Sequence, residues 1–199
     1  MKEYYDARAP EYDDWYLGLG KFSARERAGW NEAIAELGID IAALPPAKTL
    51  DVACGTAFLT RHLRGEITGL DQSTRMLELA HERLPAATLV QGDATRLPFP
   101  DRAFDRVFTA HFYGHLNGPD REAFLAEARR VAPALVVVDS AVRPDHAREE
   151  HQERMLNDGS RFRVYKRYFD ADGLAGELGG GRILHAGDWF VMVEAWLDR

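Results

Sequence analysis

The sequence predicts an α/β domain on a mostly parallel sheet, and three observations carry that expectation. The stretch TLDVACGTAFL at residues 49–59 runs from an apolar segment (Leu50, Val52) through Cys54-Gly55-Thr56 into a helix-period pattern at Leu59 and Leu63. That order reads as a strand, a tight turn and a helix start, a layout that cradles nucleotide-like ligands. Strand-like and helix-like stretches then alternate to about residue 140, the pattern of a doubly wound sheet. Finally, a carboxylate stands at or near the end of each of the first three expected strands: Asp51, Asp71 and Asp93. In an open α/β sheet that edge is where ligands sit.

Each element has its own justification. Residues 1–16 carry Tyr4, Tyr5, Tyr12, Trp15 and Tyr16 at roughly helical spacing, interrupted by Pro10; they predict a short aromatic helix that packs on the domain or covers a ligand. Residues 22–44 predict one or two helices with Phe22, Trp30, Ile34, Leu37 and Ile41 inward, ended by Pro45-Pro46. Strands follow at 48–53, 65–70 and 88–91. Between the last two, a helix starts near Ser73, with Met76, Leu77, Ala80 and Leu84 on one face and Pro85 closing it. The fourth strand, 106–110, delivers His111, Phe112, Tyr113 and His115 to the ligand edge. A helix over 121–130 and a fifth strand over 134–139, ALVVVD, come next. The polar stretch 140–160 predicts a solvated connector or cap, because a helix there would be charged nearly all round. RFRVYKRYF, 161–169, is β-branched and aromatic enough for a strand. Asp170 caps a helix over 171–178, Gly179-Gly180-Gly181 breaks it, and two strands at 182–186 and 189–196 finish the chain.

Composition narrows the function. The chain has 199 residues, 46% hydrophobic and 29% charged, and a net charge of −7. An acidic chain without a basic block is a poor partner for nucleic acid, where affinity rests on neutralising phosphates. No window approaches a membrane-spanning apolar run, and the first sixteen residues lack the order of a secretion signal. A single cysteine, Cys54, excludes an internal disulfide and a multi-cysteine metal site. These features lead to the expectation of a cytoplasmic protein without a metal, either a monomer or a homodimer.

The residues around the turn discriminate among ligands. Small side chains at Ala53, Gly55 and Ala57 let a ligand lie against the backbone. The large Phe58 occupies the place where a dinucleotide fold needs a small residue. Asp51 suits a ligand with an amino group better than a pyrophosphate. Asp71, twenty residues on, is placed to accept two ribose hydroxyls or to cap the next helix. Asp93 reads as an acceptor for an exocyclic amine or as a turn residue.

Asp51-x-Ala53-x-Gly55-x-Ala57 resembles motif I of the class I S-adenosylmethionine (SAM) dependent methyltransferases. The aromatic leader YYDARAPEYD, Asp71, Asp93 and the segment LPFPDRAFDRVF through His115 are similar to that family in the same order. LPFPD is the form found in ubiquinone/menaquinone-type enzymes. The resemblance implies a Rossmann-like seven-stranded sheet, six strands parallel and the last antiparallel, with helices on both faces and an aromatic lid. It implies one domain: a lid over 1–45, a SAM core over 46–140, a substrate-side insertion over 141–169 and sheet completion over 170–199. It assigns SAM, with S-adenosylhomocysteine (SAH) as product, to Tyr4, Tyr12, Asp51, Ala53, Gly55, Asp71, Gln72, Met76, Asp93, Ala94, His111 and Phe112. Two of the family's three motif I glycines are alanine here, which predicts that Ala53 and Ala57 keep negative φ.

Methyl transfer from a sulfonium rests on alignment of donor and acceptor and exclusion of water. A base is needed only when the acceptor must lose a proton. By residue type and position, His111 and His115 are the candidate catalytic bases, or alternatively hydrogen-bond partners of the ligand. HFYGHL and DGSRFRVYKRYF resemble bacterial O-methyltransferases of a phosphonate type. The expected acceptor is therefore a small anionic or hydroxylated molecule held by Tyr16, His115, Arg163 and Lys166. The competing readings are a non-catalytic SAM-binding module, an N- or C-methyltransferase of an amine or quinone-like acceptor, a nicotinamide-dependent oxidoreductase and a macromolecular methyltransferase.

Overall fold

A computed structural model describes residues 2–144 and 146–197. Its centre is a sheet of seven strands: β1 (Ala47–Val52), β2 (Gly65–Asp71), β3 (Thr88–Gln91), β4 (Arg106–Ala110), β5 (Ala134–Ser140), β8 (Arg182–Ala186) and β9 (Phe190–Trp196). Across the sheet they lie in the order β3-β2-β1-β4-β5-β9-β8. The strand β9 runs antiparallel to both its neighbours, and the other pairings are parallel. The order reverses between β1 and β4, so the ligand crevice opens above the carboxyl ends of those two strands.

The sheet is buried on both faces, as a mostly parallel sheet must be. Leu135 and Val137 of β5 join a cluster with Leu50, Val107, Phe124, Ala128 and Leu174. That face is covered by α5 (Gly118–Val131) and α6 (Ala171–Glu177). Val136 and Val138 point the other way, to Trp30, Leu37, Ile41, Phe108 and Met192, under α3 (Trp30–Ala43). The continuous apolar run of β5 is thus explained by two cores, one per face. Helix α4 (Thr74–Arg83) starts where expected, with the Ser73 hydroxyl accepting the Met76 amide at 3.1 Å. Asp170 caps α6 by accepting the Gly173 amide at 2.7 Å.

The N-terminal leader forms α1 (Lys2–Arg8), a 3-10 turn (Ala9–Glu11) and α2 (Asp14–Leu17). Three expectations are corrected. The helix expected after β1 is only a 3-10 turn, Thr60–His62. Leu59 and Leu63 are buried as their spacing suggests, but about a dozen residues join β1 to β2, and the turn at 53–57 uses several of them. The helical stretch expected over 22–44 begins only at Trp30. The polar stretch 140–160 is no helix or connector throughout: it contains β6 (Glu149–Met155), which pairs antiparallel with β7 (Arg161–Arg167) as a separate two-stranded ribbon.

Candidate active site

The turn after β1 holds the most unusual backbone in the chain. Ala53, Gly55 and Ala57 have φ of 59°, 54° and 59°. The expectation of negative φ at both alanines is therefore overturned. An alanine in the left-handed region costs roughly 1–2 kcal/mol, and the surroundings hold it there. The Cys54 amide donates to the Leu70 carbonyl at 3.0 Å, and the Ala57 amide to the Cys54 carbonyl at 2.9 Å. The Gly55 amide donates to Asp71 Oδ2 at 2.9 Å, while Asp71 Oδ1 accepts the Ser73 amide at 2.9 Å. Asp71 is thus fixed by backbone donors on both oxygens, each with lone pairs left for a ligand. Burial raises its proton affinity, and these hydrogen bonds oppose that rise.

Above this turn lies a cleft of about 200 Å³. Its floor is Ala53 and Gly55; Asp71 and Gln72 line it from the end of β2, and Asp93 and Ala94 follow β3. Tyr12, His111 and Phe112 complete the expected set, and Tyr5, Thr95 and Asp120 line it as well without having been expected. Three expected cofactor residues lie elsewhere. Met76 is fully buried in the core. Tyr4 lines the neighbouring cavity. Asp51 is 2% exposed beneath the turn, where the Thr60 hydroxyl donates to its Oδ2 and its Oδ1 has no partner among the described residues. Burial pushes the Asp51 carboxyl up to about 8.

A second cavity of about 1020 Å³ adjoins the first. Tyr5, Tyr12, His111 and His115 line both, so these four side chains stand where the two spaces meet. The leader therefore does reach over the cleft, as the aromatic spacing suggests. It is tied down at both ends of the site. Asp13 accepts the Thr56 hydroxyl at 2.6 Å and pairs with Arg83 at 2.5 Å, which anchors it to the turn after β1. Glu11 pairs with Lys21 and accepts the Asn157 amide at 2.6 Å, which anchors the leader to the ribbon hairpin.

The two histidines differ. His111 follows β4 with φ of 55° and sits against the rings of Trp15, Tyr16 and Phe190 at 5.1, 5.8 and 5.5 Å. Neither ring nitrogen has a hydrogen-bond partner among the described residues, and burial drives its pKa down to about 3. It is neutral, and its low proton affinity makes it a weak base at neutral pH. His115 Nδ1 lies 2.6 Å from the Tyr165 carbonyl oxygen. A carbonyl only accepts, so Nδ1 carries the hydrogen and Nε2 presents a lone pair. Burial, then the Lys166 charge, hold His115 well below the usual histidine range.

The acceptor-side expectations change more. Arg163 is exposed on the outer face of β7 and does not line the cavity. Tyr16 is 4% exposed and stacks on Phe58 with ring centroids 4.1 Å apart, away from the cavity. Lys166 does line it, but its ammonium pairs with Asp139, which is fully buried and also accepts the Gly114 and Ser140 amides at 2.7 Å each. The inner face of the ribbon instead offers Arg154 and Gln152, and the leader offers Arg8. Seven Lys or Arg side chains line this cavity against three carboxylates, among the described residues, and two of the seven, Lys21 and Lys166, are paired with Glu11 and Asp139 behind the wall. In a chain of net charge −7, that is a concentrated positive site.

The comparisons with known proteins agree with this geometry. A family model described as a methyltransferase domain matches residues 50–133. A demethylmenaquinone methyltransferase of Thermotoga maritima is 42% identical over 107 residues, 51% of this chain and 44% of that one. One from Lysinibacillus sphaericus is 34% identical over 149 residues, 69% of this chain and 60% of that one. The chain thus spans less than two thirds of the length of these curated relatives. A solved structure described as the DhpI-SAM-HEP complex is 27% identical with a TM-score of 0.76, over 96% of this chain and 94% of that one. The glycopeptide N-methyltransferase MtfA with SAM, 21% identical with a TM-score of 0.59 over 81% of this chain and 91% of that one, shares the fold. The sheet order, the cleft bordered by Asp71 and Asp93 and the aromatic leader above it fit the SAM-dependent methyltransferase fold to which these likenesses point. Residues 50–133 match a methyltransferase domain, and the chain is similar over nearly its whole length to a structure solved with SAM.

Proposed function

We propose that this chain is an enzyme that transfers the methyl group of SAM to an acidic oxygen of a small anionic molecule, with SAH as the second product. The observation that carries this reading is the meeting of two cavities at Tyr5, Tyr12, His111 and His115, one bordered by the strand-end carboxylates and the other rich in cations. SAM lies in the first, its ribose hydroxyls on Asp71 and its adenine near Asp93 and Ala94. Its sulfonium faces the junction, so the acceptor oxygen approaches from the second cavity in line with the departing sulfur. The positive lining concentrates an anion there, and tyrosine and histidine rings exclude water. Lys166, neutralised by Asp139, shapes the cavity, and Arg154 provides charge.

The likeness to the SAM-HEP complex supports this reading, because it covers nearly the whole chain. The menaquinone-type relatives support methyl transfer in general, through shorter matches. A cation-rich cavity does not suit a neutral quinol ring. The domain scheme follows: residues 141–169 form the acceptor-side insertion on a single methyltransferase domain. Where the acceptor is a hydroxyl, His115 Nε2 offers it a hydrogen-bond acceptor, and its depressed proton affinity makes it, like His111, a weak base. No helix among the described residues is long and apolar enough to cross a membrane. No group of three or more His, Cys, Asp or Glu that could hold a metal is present among them.

The test is transfer of radiolabelled methyl from SAM to a panel of small phosphonic and carboxylic acids, phenols, amines and quinols. The expected product is a methyl ester of an acid, formed fastest with the most highly charged acceptor. Label appearing only on a quinol or an amine overturns the reading.

A further inference from the structure

Arg8 has no place in the sequence-based site, yet it is a buried cation of the cavity without a carboxylate beside it among the described residues. It is 9% exposed. Its guanidinium lies 5.6 Å from the Tyr4 ring centroid and 5.0 Å from that of Tyr12, and its Nη1 donates to the Tyr4 hydroxyl. No carboxylate pairs with it among the described residues. Arg154 reaches the same Tyr4 oxygen from the ribbon at 3.1 Å and gives its other nitrogens to Gln152, at 3.2 and 2.9 Å, again without a carboxylate. Two guanidiniums therefore share one phenol oxygen at the wall of the cavity. Lys166, still more buried, has Asp139 as its counter-charge.

A cation taken out of water without a partner costs several kcal/mol, and two like charges brought together add repulsion. Aromatic rings offset part of that, on the order of 0.5–2 kcal/mol. The remainder calls for an anion that the described residues do not supply. Arg8 lines the larger, acceptor-side cavity and not the cofactor cleft, which favours the acceptor over the donor's carboxylate as that anion. We infer that Arg8, with Arg154, forms a binding site for the oxyanion of the acceptor, and that Arg8 is a specificity-determining residue of this enzyme. The inference rests on the anionic-acceptor reading above and adds the residue on the leader that grips the anion. Planar guanidinium groups suit this role because they hold two oxygens at once. The leader then serves twice, since the segment that covers the donor also carries the charge that selects the acceptor.

Inorganic phosphate serves as the probe, titrated into the protein–SAH complex by calorimetry at constant ionic strength. Wild type is expected to bind phosphate more tightly than acetate. Arg8→Gln should weaken phosphate binding at least tenfold and leave the Kd for SAH within twofold; Arg8→Lys should recover part of the loss. SAH binding shows that each variant is folded, and the lysine variant keeps the test open if glutamine is not tolerated. Arg154→Met separates the two ideas. If it abolishes phosphate binding while Arg8→Gln and Arg8→Lys bind as wild type does, the Arg8 inference falls and the anionic-acceptor reading stands. If wild type binds no phosphate, both fall. If Arg8→Gln weakens SAH tenfold and leaves phosphate unchanged, the guanidinium serves the donor and the inference is wrong.

Discussion

Asp51 shows how a single residue can belong to a recognisable pattern and still do something other than the pattern suggests. Its sequence position places a carboxylate beside the ligand, but its side chain is buried under the turn with one oxygen unpartnered among the described residues. A carboxyl raised from the ordinary range to about 8 stays protonated in the folded state while the unfolded chain ionises at about 4. Between those values the unfolded state holds fewer protons, so stability falls as pH rises. The group costs the fold little at pH 4 and most at pH 8 and above. Asp51→Asn removes this dependence. Urea unfolding should show the variant gaining about 3–4 kcal/mol relative to wild type between pH 5 and pH 8, at about 1.4 kcal/mol per pH unit. Parallel pH profiles for the two proteins would contradict it. The left-handed alanines belong to the same scale: alternating small residues reveal the turn, but nothing in an alanine announces positive φ. The fork at Arg163 and Lys166 is similar. Alternation separates the two faces of β7, yet which face meets the cavity depends on how the ribbon docks. Arg8 was hidden because the leader's aromatic residues dominate its pattern.

At the scale of elements, periodicity worked where one or both faces of a segment meet an apolar core. Strands β3 and β4 begin and end where the pattern places them, and ALVVVD becomes the doubly buried β5. It failed where burial is polar. Strand β6 reads EEHQERM, because one face meets water and the other a polar cavity, so no hydrophobic alternation exists to be seen. The missing helix after β1 failed for a different reason: Leu59 and Leu63 are buried in a turn too short to wind. The leader is the element with the clearest consequence. Asp13 is its tie to the cofactor turn, through Thr56 and Arg83. Asp13→Ala should raise the Kd for SAM about tenfold, equivalent to about 1.4 kcal/mol, by letting the leader lift. Calorimetric titration with SAM measures this, and an unchanged Kd would mean that the clasp does not hold the lid.

At the scale of the whole molecule, the sheet order, the reversal between β1 and β4 and the leader folding back over that point create two adjoining cavities with a common wall, the proposed donor and acceptor spaces. The first of these was legible, because carboxylates at strand ends mark the crevice. The acceptor space was legible only in its general charge, since its walls come from the leader and a ribbon that meet through tertiary docking alone. The most direct measurement is a crystal structure of the protein with SAH bound. The expected result is ribose hydroxyls on Asp71, adenine beside Asp93, and the sulfur at the wall formed by Tyr5, Tyr12, His111 and His115, facing the cation-lined cavity. A ribose turned away from Asp71, or a sulfur with no opening toward that cavity, would contradict it.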